Sequence, residues 1–143
     1  MTFLLDVNIL FILHQPRHDD YKIASQWFNG VSRDGFATCA MTQAGMLRLL
    51  TRRIDDLDRF PMHEAREALR HLAKRPDHVF WMEAPPCLDL TEPLFRRMQG
   101  HRQITDAYLL GLARHHHGKL ATMDKAIRSL AGPEYGDFVE LVA

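Results

Sequence analysis

The chain has 143 residues, the size of one ordinary domain, and its 46% hydrophobic and 25% charged residues supply enough apolar material for a packed core. Lys plus Arg equal Asp plus Glu at 18 each, so the formal net charge is zero. This excludes a protein that coats nucleic acid by bulk charge and leaves room for an enzyme that meets phosphates locally. The two cysteines, Cys39 and Cys87, are too few and too distant for a zinc ribbon or a disulfide framework.

The start, Met1 to Asp6, lacks the basic segment and long apolar run of a signal peptide. No stretch approaches the ~20 apolar residues of a membrane span. A cytoplasmic protein with no membrane partner is expected.

Residues 2–5 predict a strand, because short uninterrupted apolar runs suit strands buried on both faces of a parallel sheet. Asp6 ends it, and Asn8 to Leu13 begin a helix. Across residues 19–33, Tyr21, Ala24, Trp27, Phe28 and Val31 fall near helical spacing. Gly35 closes that element, and Phe36 to Cys39 read as a second strand, with Cys39 a small core residue. Thr42 has the character of an N-cap. The helix after it carries Gln43, Met46, Leu47 and Leu50 on one face.

Residues 61–74 form the clearest amphipathic helix. Pro61 starts it, Ala65, Ala68, Leu69 and Leu72 face inward, and Arg66, Arg70 and Lys74 face outward. Val79 to Trp81 make a third strand. Thr91 is placed as the cap of a short helix running to Met98, and residues 100–103 as a loop. A strong helix follows from Ile104 to about His116, with Asp106, Leu109, Leu110 and Ala113 on one face and Gly118 ending it. Lys119 to Met123 are a fourth strand, and Phe138 to Val142 a fifth. This alternation predicts an α/β fold over residues 1–143 as a single domain. Its central sheet has about five mainly parallel strands, with helices on both faces.

Two acids share one context. Asp6 follows the first strand and Asp124 the fourth, and ligands of open α/β sheets bind beyond the carboxyl ends of the strands. Asp106 lies in the first turn of its helix, on the inward face. Three carboxylates converging without a cation repel by ~4 kcal/mol per pair at ~4 Å and an effective dielectric of ~20. A divalent cation relieves this, and oxygen-only donors favour Mg²⁺, with Mn²⁺ as the substitute. Taken singly, a strand-end aspartate is more often a turn residue or helix cap.

Several neighbours are candidates for supporting roles. Asn8 either holds a carboxylate or metal-bound water, or caps the next helix. Thr122 is placed to orient Asp124. Thr105 does the same for Asp106 or caps its own helix. Arg102, four residues before Asp106, is placed to touch a substrate phosphate, while the other arginines read as solvated faces. His115, His116 and His117 are consecutive and cannot all face one ion from a helix, so they read as a solvated helix end.

Four segments together are similar to the PIN-domain ribonucleases, and more narrowly to VapC-type toxins of bacterial toxin–antitoxin pairs. They are residues 4–8 (Leu-Leu-Asp-Val-Asn), residues 37–43, residues 100–109 (Gly-His-Arg-Gln-Ile-Thr-Asp-Ala-Tyr-Leu) and residues 119–124 (Lys-Leu-Ala-Thr-Met-Asp). The resemblance spans nearly the whole chain and implies a PIN-like three-layer sandwich. It implies a Mg²⁺-dependent endoribonuclease, with Asp6, Asp106 and Asp124 as metal ligands, held in check by a cognate antitoxin protein. Toxins of this kind often cut structured RNAs such as transfer RNA. Many PIN domains have a glutamate where Gln43 stands here, which leaves the number of metal ions open.

The expected reaction is hydrolysis of an RNA phosphodiester by metal-activated water, with Gln43 and Asn8 holding waters or carboxylates around the ion. Expected partners are the RNA substrate, the antitoxin and a second copy of the chain in a homodimer. The antitoxin would cover apolar surface near the site; Trp27, Phe28 and Phe60 are candidates for it, with core packing the other reading. Two rival functions remain. Asp6-Val7-Asn8 distantly resembles the nucleophile motif of haloacid-dehalogenase-like phosphatases, but Asn8 and Leu10 lack the general acid and threonine. The other rival is a non-catalytic RNA- or partner-binding module of the same fold.

Overall fold

The structure is a computed structural model that describes residues 1–83 and 85–143. Five short strands, β1 (Phe3–Leu5), β2 (Phe36–Thr38), β3 (His78–Phe80), β4 (Lys119–Thr122) and β5 (Val139–Leu141), form one sheet in the order β3-β2-β1-β4-β5. Every pairing is parallel, so the sheet is wholly rather than mainly parallel. Phe3 pairs with Phe36 on one side and Lys119 on the other, which places the first strand at the centre.

Helices α1 (Val7–Ile12), α2 (Tyr21–Val31), α3 (Ala40–Thr51) and α4 (Met62–Ala73) join the first three strands. Helices α5 (Cys87–Thr91) and α6 (Ile104–His115) carry the chain from β3 back to β4. Helix α7 (Ile127–Tyr135), broken at Gly132, precedes β5. Strand alternation divides the core. Phe3, Leu5 and Phe36 pack with residues of α1 to α4, whereas Leu4, Ala37 and Leu120 pack with residues of α6 and α7. Each layer buries its apolar stripe against one face of the sheet, as a three-layer architecture requires. No helix of the described residues is long and apolar enough to cross a membrane.

Local chemistry moves several boundaries from their predicted places. β2 ends at Thr38, so Cys39 and not Thr42 is the N-cap of α3. Buried Thr42, three residues on, accepts the Cys39 N–H at 2.9 Å. Thr91 ends α5 instead of starting a helix, its hydroxyl donating to the Cys87 carbonyl at 2.8 Å; residues 92–97 continue as a 3-10 helix. Residues 101–103, expected as a loop, form another 3-10 turn.

At the end of α6 the left-handed residue is His117, with φ 57°, and Gly118 follows it, its N–H bonding the Ala113 carbonyl at 2.9 Å. That is the Schellman closure. Gly118 is required for space instead: a Cβ there would lie 2.4 Å from the Trp81 ring and 2.5 Å from the Thr2 carbonyl. Gly35, with φ 105°, does need glycine's freedom to turn the chain into β2.

Fully buried Gln15 pins the loop after α3 to the end of α1. Its Nε2 donates to the Asp58 carbonyl at 2.8 Å, and its Oε1 accepts the Asp58 N–H at 3.0 Å. Of the aromatic residues considered for a partner surface, Phe28 is buried, Trp27 packs edge-on against Phe3 and Phe60 is half-buried. They belong to the core, and the exposed large apolar residues lie elsewhere, at Val79, Phe80, Met82, Leu88, Phe95 and Ile104 among others.

Candidate functional site

The strand order reverses between β1 and β4, and a crevice opens beyond the carboxyl ends of strands at such a point. Asp6 leaves β1 there. It is buried, and both of its oxygens have donors: Oδ1 accepts the Val7 N–H at 2.7 Å, capping α1, and Oδ2 accepts the Thr122 hydroxyl at 2.8 Å. The Thr122 oxygen in turn accepts the Asp124 N–H at 3.1 Å, and Asp124 Oδ1 accepts the Ala126 N–H at 2.9 Å. One buried hydroxyl therefore ties the two strand-end acids together. The cap reading of Asp6 and the turn reading of Asp124 both hold, alongside any role at the crevice.

Asp106, in the first turn of α6, completes the group. Burial, then the charges of Asp6 and Asp124, push its carboxyl up to about 6, with no hydrogen bond opposing them. Burial raises Asp6 as well, opposed by Thr122 and Val7, with Asp124 adding a smaller upward push. The three acids thus sense one another electrostatically. Among the described residues, no three His, Cys, Asp or Glu side chains stand close enough to enclose an ion as they are. In donor chemistry the aspartates suit a hard divalent cation, which would offset both the burial and the smaller like-charge repulsion that raise Asp106.

The other candidates fall in different places. Gln43 is half-buried on α3, and its Nε2 donates to the buried Thr38 hydroxyl oxygen at 2.9 Å. Thr38 also meets His78 Nε2 at 2.8 Å, and burial holds His78 below the usual imidazole range. Among the described residues, this donation is the hydrogen bond that the Gln43 side chain makes. Asn8 is exposed in the first turn of α1 and does not cap it, since Asp6 does. Thr105 is exposed as the second residue of α6 and makes no cap bond, because that helix starts one residue earlier. Arg102 is exposed in the 3-10 turn before α6. Leu10, where a phosphatase motif would need a threonine, is fully buried.

Beside the acids lies a cleft of about 400 Å³ that sequence spacing did not reveal. Phe11, Ile12, Leu49, Ile54 and Met123 form its apolar lining. Asn8, His18, Asp20 and Asp124 supply its polar groups, so Asp124 belongs to both features. The elements that build it are far apart in the chain, and no short motif could signal it.

The PIN-domain family model matches residues 3–133. Ribonuclease VapC29 of Mycobacterium tuberculosis is 38% identical over 132 residues, covering 92% of each chain. Ribonuclease VapC44 of the same species is 34% identical over 137 residues, covering 93% of each. Among solved structures, VapBC2 from Rickettsia felis, bound to a DNA fragment from its promoter, aligns with a TM-score of 0.65 at 13% identity, covering 99% of this chain and 98% of the other. FitAcB from Neisseria gonorrhoeae aligns with a TM-score of 0.61 at 14% identity, covering 97% and 96%. At these identities the two structures speak for the fold alone.

Proposed function

This chain belongs to the PIN-domain family, with VapC ribonucleases among its relatives, and from that premise we propose that it is a divalent-metal-dependent endoribonuclease, the toxin of a toxin–antitoxin pair. The observation that supports the reading is that Asp6 and Asp124 stand past the ends of adjacent strands and are tied through Thr122, with Asp106 near enough that burial, then their charges, raise its carboxyl. Those three carboxylates would hold the ion. Mg²⁺ or Mn²⁺ bound there would supply the Lewis acid that activates water and neutralises charge growing on the phosphate.

The chain's own residues do the rest. Thr122 fixes the spacing of Asp6 and Asp124 through its hydrogen bonds to both. Asp6 is further held by the first amide of α1, so its carboxylate cannot swing away from the crevice. Gln43, tethered to Thr38, offers its carbonyl oxygen as an uncharged acceptor for water. Arg102, exposed ahead of α6, is available to a substrate phosphate. Its proposed partners are an RNA substrate, an antitoxin protein and a second copy of the chain, in the cytoplasm.

The test is incubation of purified chain with structured RNA, transfer RNA included, in Mg²⁺ and in excess EDTA. Cleavage in Mg²⁺ that stops in EDTA, and is absent from Asp106→Asn, supports the reading. Cleavage undiminished by EDTA overturns the metal requirement.

A further inference from the structure

The cleft beside Asp124 is the feature that the acid constellation leaves unused. Its apolar lining comes from the end of α1, the end of α3, the loop after α3 and the residue after β4. Its volume of about 400 Å³ falls in the range of small-molecule pockets, which pair an apolar lining with a few convergent polar groups. His18 is one of these groups. The Asp20 N–H donates to His18 Nδ1 at 3.0 Å, which places the ring proton on Nε2 and makes that nitrogen a donor. The His18 ring stands edge-on to Phe11, 6.4 Å between centroids. Asp20 caps α2 without a side-chain cap bond, among the described residues its carboxylate forms no ion pair, and Asn8 adds an exposed amide.

The charges select the occupant. Asp20 and Asp124 both line the cleft, and a phosphate entering it would meet two carboxylates. A neutral, flat group with apolar faces and a hydrogen-bonding edge meets no such opposition. Bases of single-stranded RNA are read in this way, by stacking against ring systems and by hydrogen bonds to their edges. The ionised Asp20 carboxylate only accepts hydrogen bonds, so it favours an edge that carries an amino group.

The geometry points to this cleft as a nucleobase subsite next to the cleavage centre, selective for bases with an exocyclic amine through Asp20, with His18 donating to a ring nitrogen or carbonyl. The inference rests on the reading of the chain as a ribonuclease. It locates a substrate nucleotide beside Asp124, where the acidic centre and the cleft share a residue.

The experiment uses nucleosides, which hold no phosphodiester to cleave. Cytidine and uridine differ at the amino-bearing position, and each is titrated into the isotope-labelled full chain by NMR. Cytidine is expected to shift the His18 ring and Met123 methyl signals, with uridine binding about tenfold more weakly, the value of one hydrogen bond to a charged group. Asp20→Asn is expected to bring the ratio to about one, because an amide both donates and accepts. Asparagine serves as well as aspartate at a helix N-cap, so that variant keeps α2. His18→Ala is expected to weaken both nucleosides, and if it fails to fold, Asp20→Asn carries the test.

Equal affinities in the unaltered chain overturn the proposal, as do signals that stay unmoved by cytidine up to its solubility limit. So does displacement of the same signals by N-acetylarginine amide with no response to cytidine, which would mark a peptide groove. The RNA-cleavage assay separates the two readings. Cleavage without nucleoside discrimination removes the subsite and keeps the nuclease. Discrimination without cleavage does the reverse.

Discussion

Replacing Asp106 by asparagine removes one charge and almost no volume, and it should stabilise the metal-free protein while abolishing cleavage. Burial and the charges of Asp6 and Asp124 raise the Asp106 carboxyl from 3.8 to about 6. At about 1.36 kcal/mol per unit this sets a ceiling of roughly 3 kcal/mol, and partial solvent access cuts it to about 1–1.5 kcal/mol. The folded value lies above the unfolded one, so the fold favours the protonated acid. The penalty is absent below about pH 4, grows between about pH 4 and 6, and is complete above that. Metal-free wild type therefore loses stability as pH rises through this window. The variant has no such group to ionise.

In EDTA at pH 7.5 the Asp106→Asn melting temperature should exceed wild type by about 3–5 °C, and the difference should shrink towards zero at pH 4.5. Added Mg²⁺ should raise the wild-type transition and leave the variant nearly unmoved. A variant less stable than wild type at pH 7.5, or a difference independent of pH, would refute the argument that burial and the neighbouring charges penalise the ionised acid.

Substitutions at three further positions probe the same architecture. Thr122→Val deprives buried Asp6 of one of its two donors and should cost about 1–3 kcal/mol by chemical denaturation, whereas Thr122→Ser should retain most of the stability; equal losses would mean that packing, not the hydroxyl, matters. Gly118→Ala should cost about 1–3 kcal/mol, since its methyl would meet the Thr2 carbonyl and the Trp81 ring, and an unchanged melting temperature would show that the α6–β4 turn can open at no cost. Gln43→Glu should tighten Mg²⁺ binding in calorimetry and destabilise the metal-free chain by adding a like charge; identical affinities would remove Gln43 from the ion's surroundings.

The strands were legible because each apolar run is short and bounded. The runs at 2–5, 36–39, 79–81, 119–123 and 138–142 each hold all or most of a strand, displaced by a residue or two at the ends. Asp6 and Asp124 were legible for the same reason, since each stands just past a run. What escaped depends on contacts between distant segments. The meeting of Thr38 with His78 is a diagonal contact across strands whose register pairs Thr38 with Phe80, and the Thr122 bond to Asp6 spans 116 residues. Thr42 and Thr105 were misplaced as caps because cap residues are recognised relative to a helix start, and each start lay one or more residues earlier than its threonine suggested. His18 carried no signal at all: its role comes from an Asp20 amide, a Phe11 ring and a cleft that exists only after folding.

The central position of β1 has a consequence for a newborn chain. Residues 3–5 leave the ribosome well before one of their two neighbours in the sheet, residues 119–122, is made. At about 5–20 residues per second, β1 waits several seconds with one edge unpaired. Asp6 waits with it, since Thr122 and Asp124 do not yet exist. A nascent chain thus holds Asp6 without the two acids proposed to complete the site until α6 and the residues after β4 have been made.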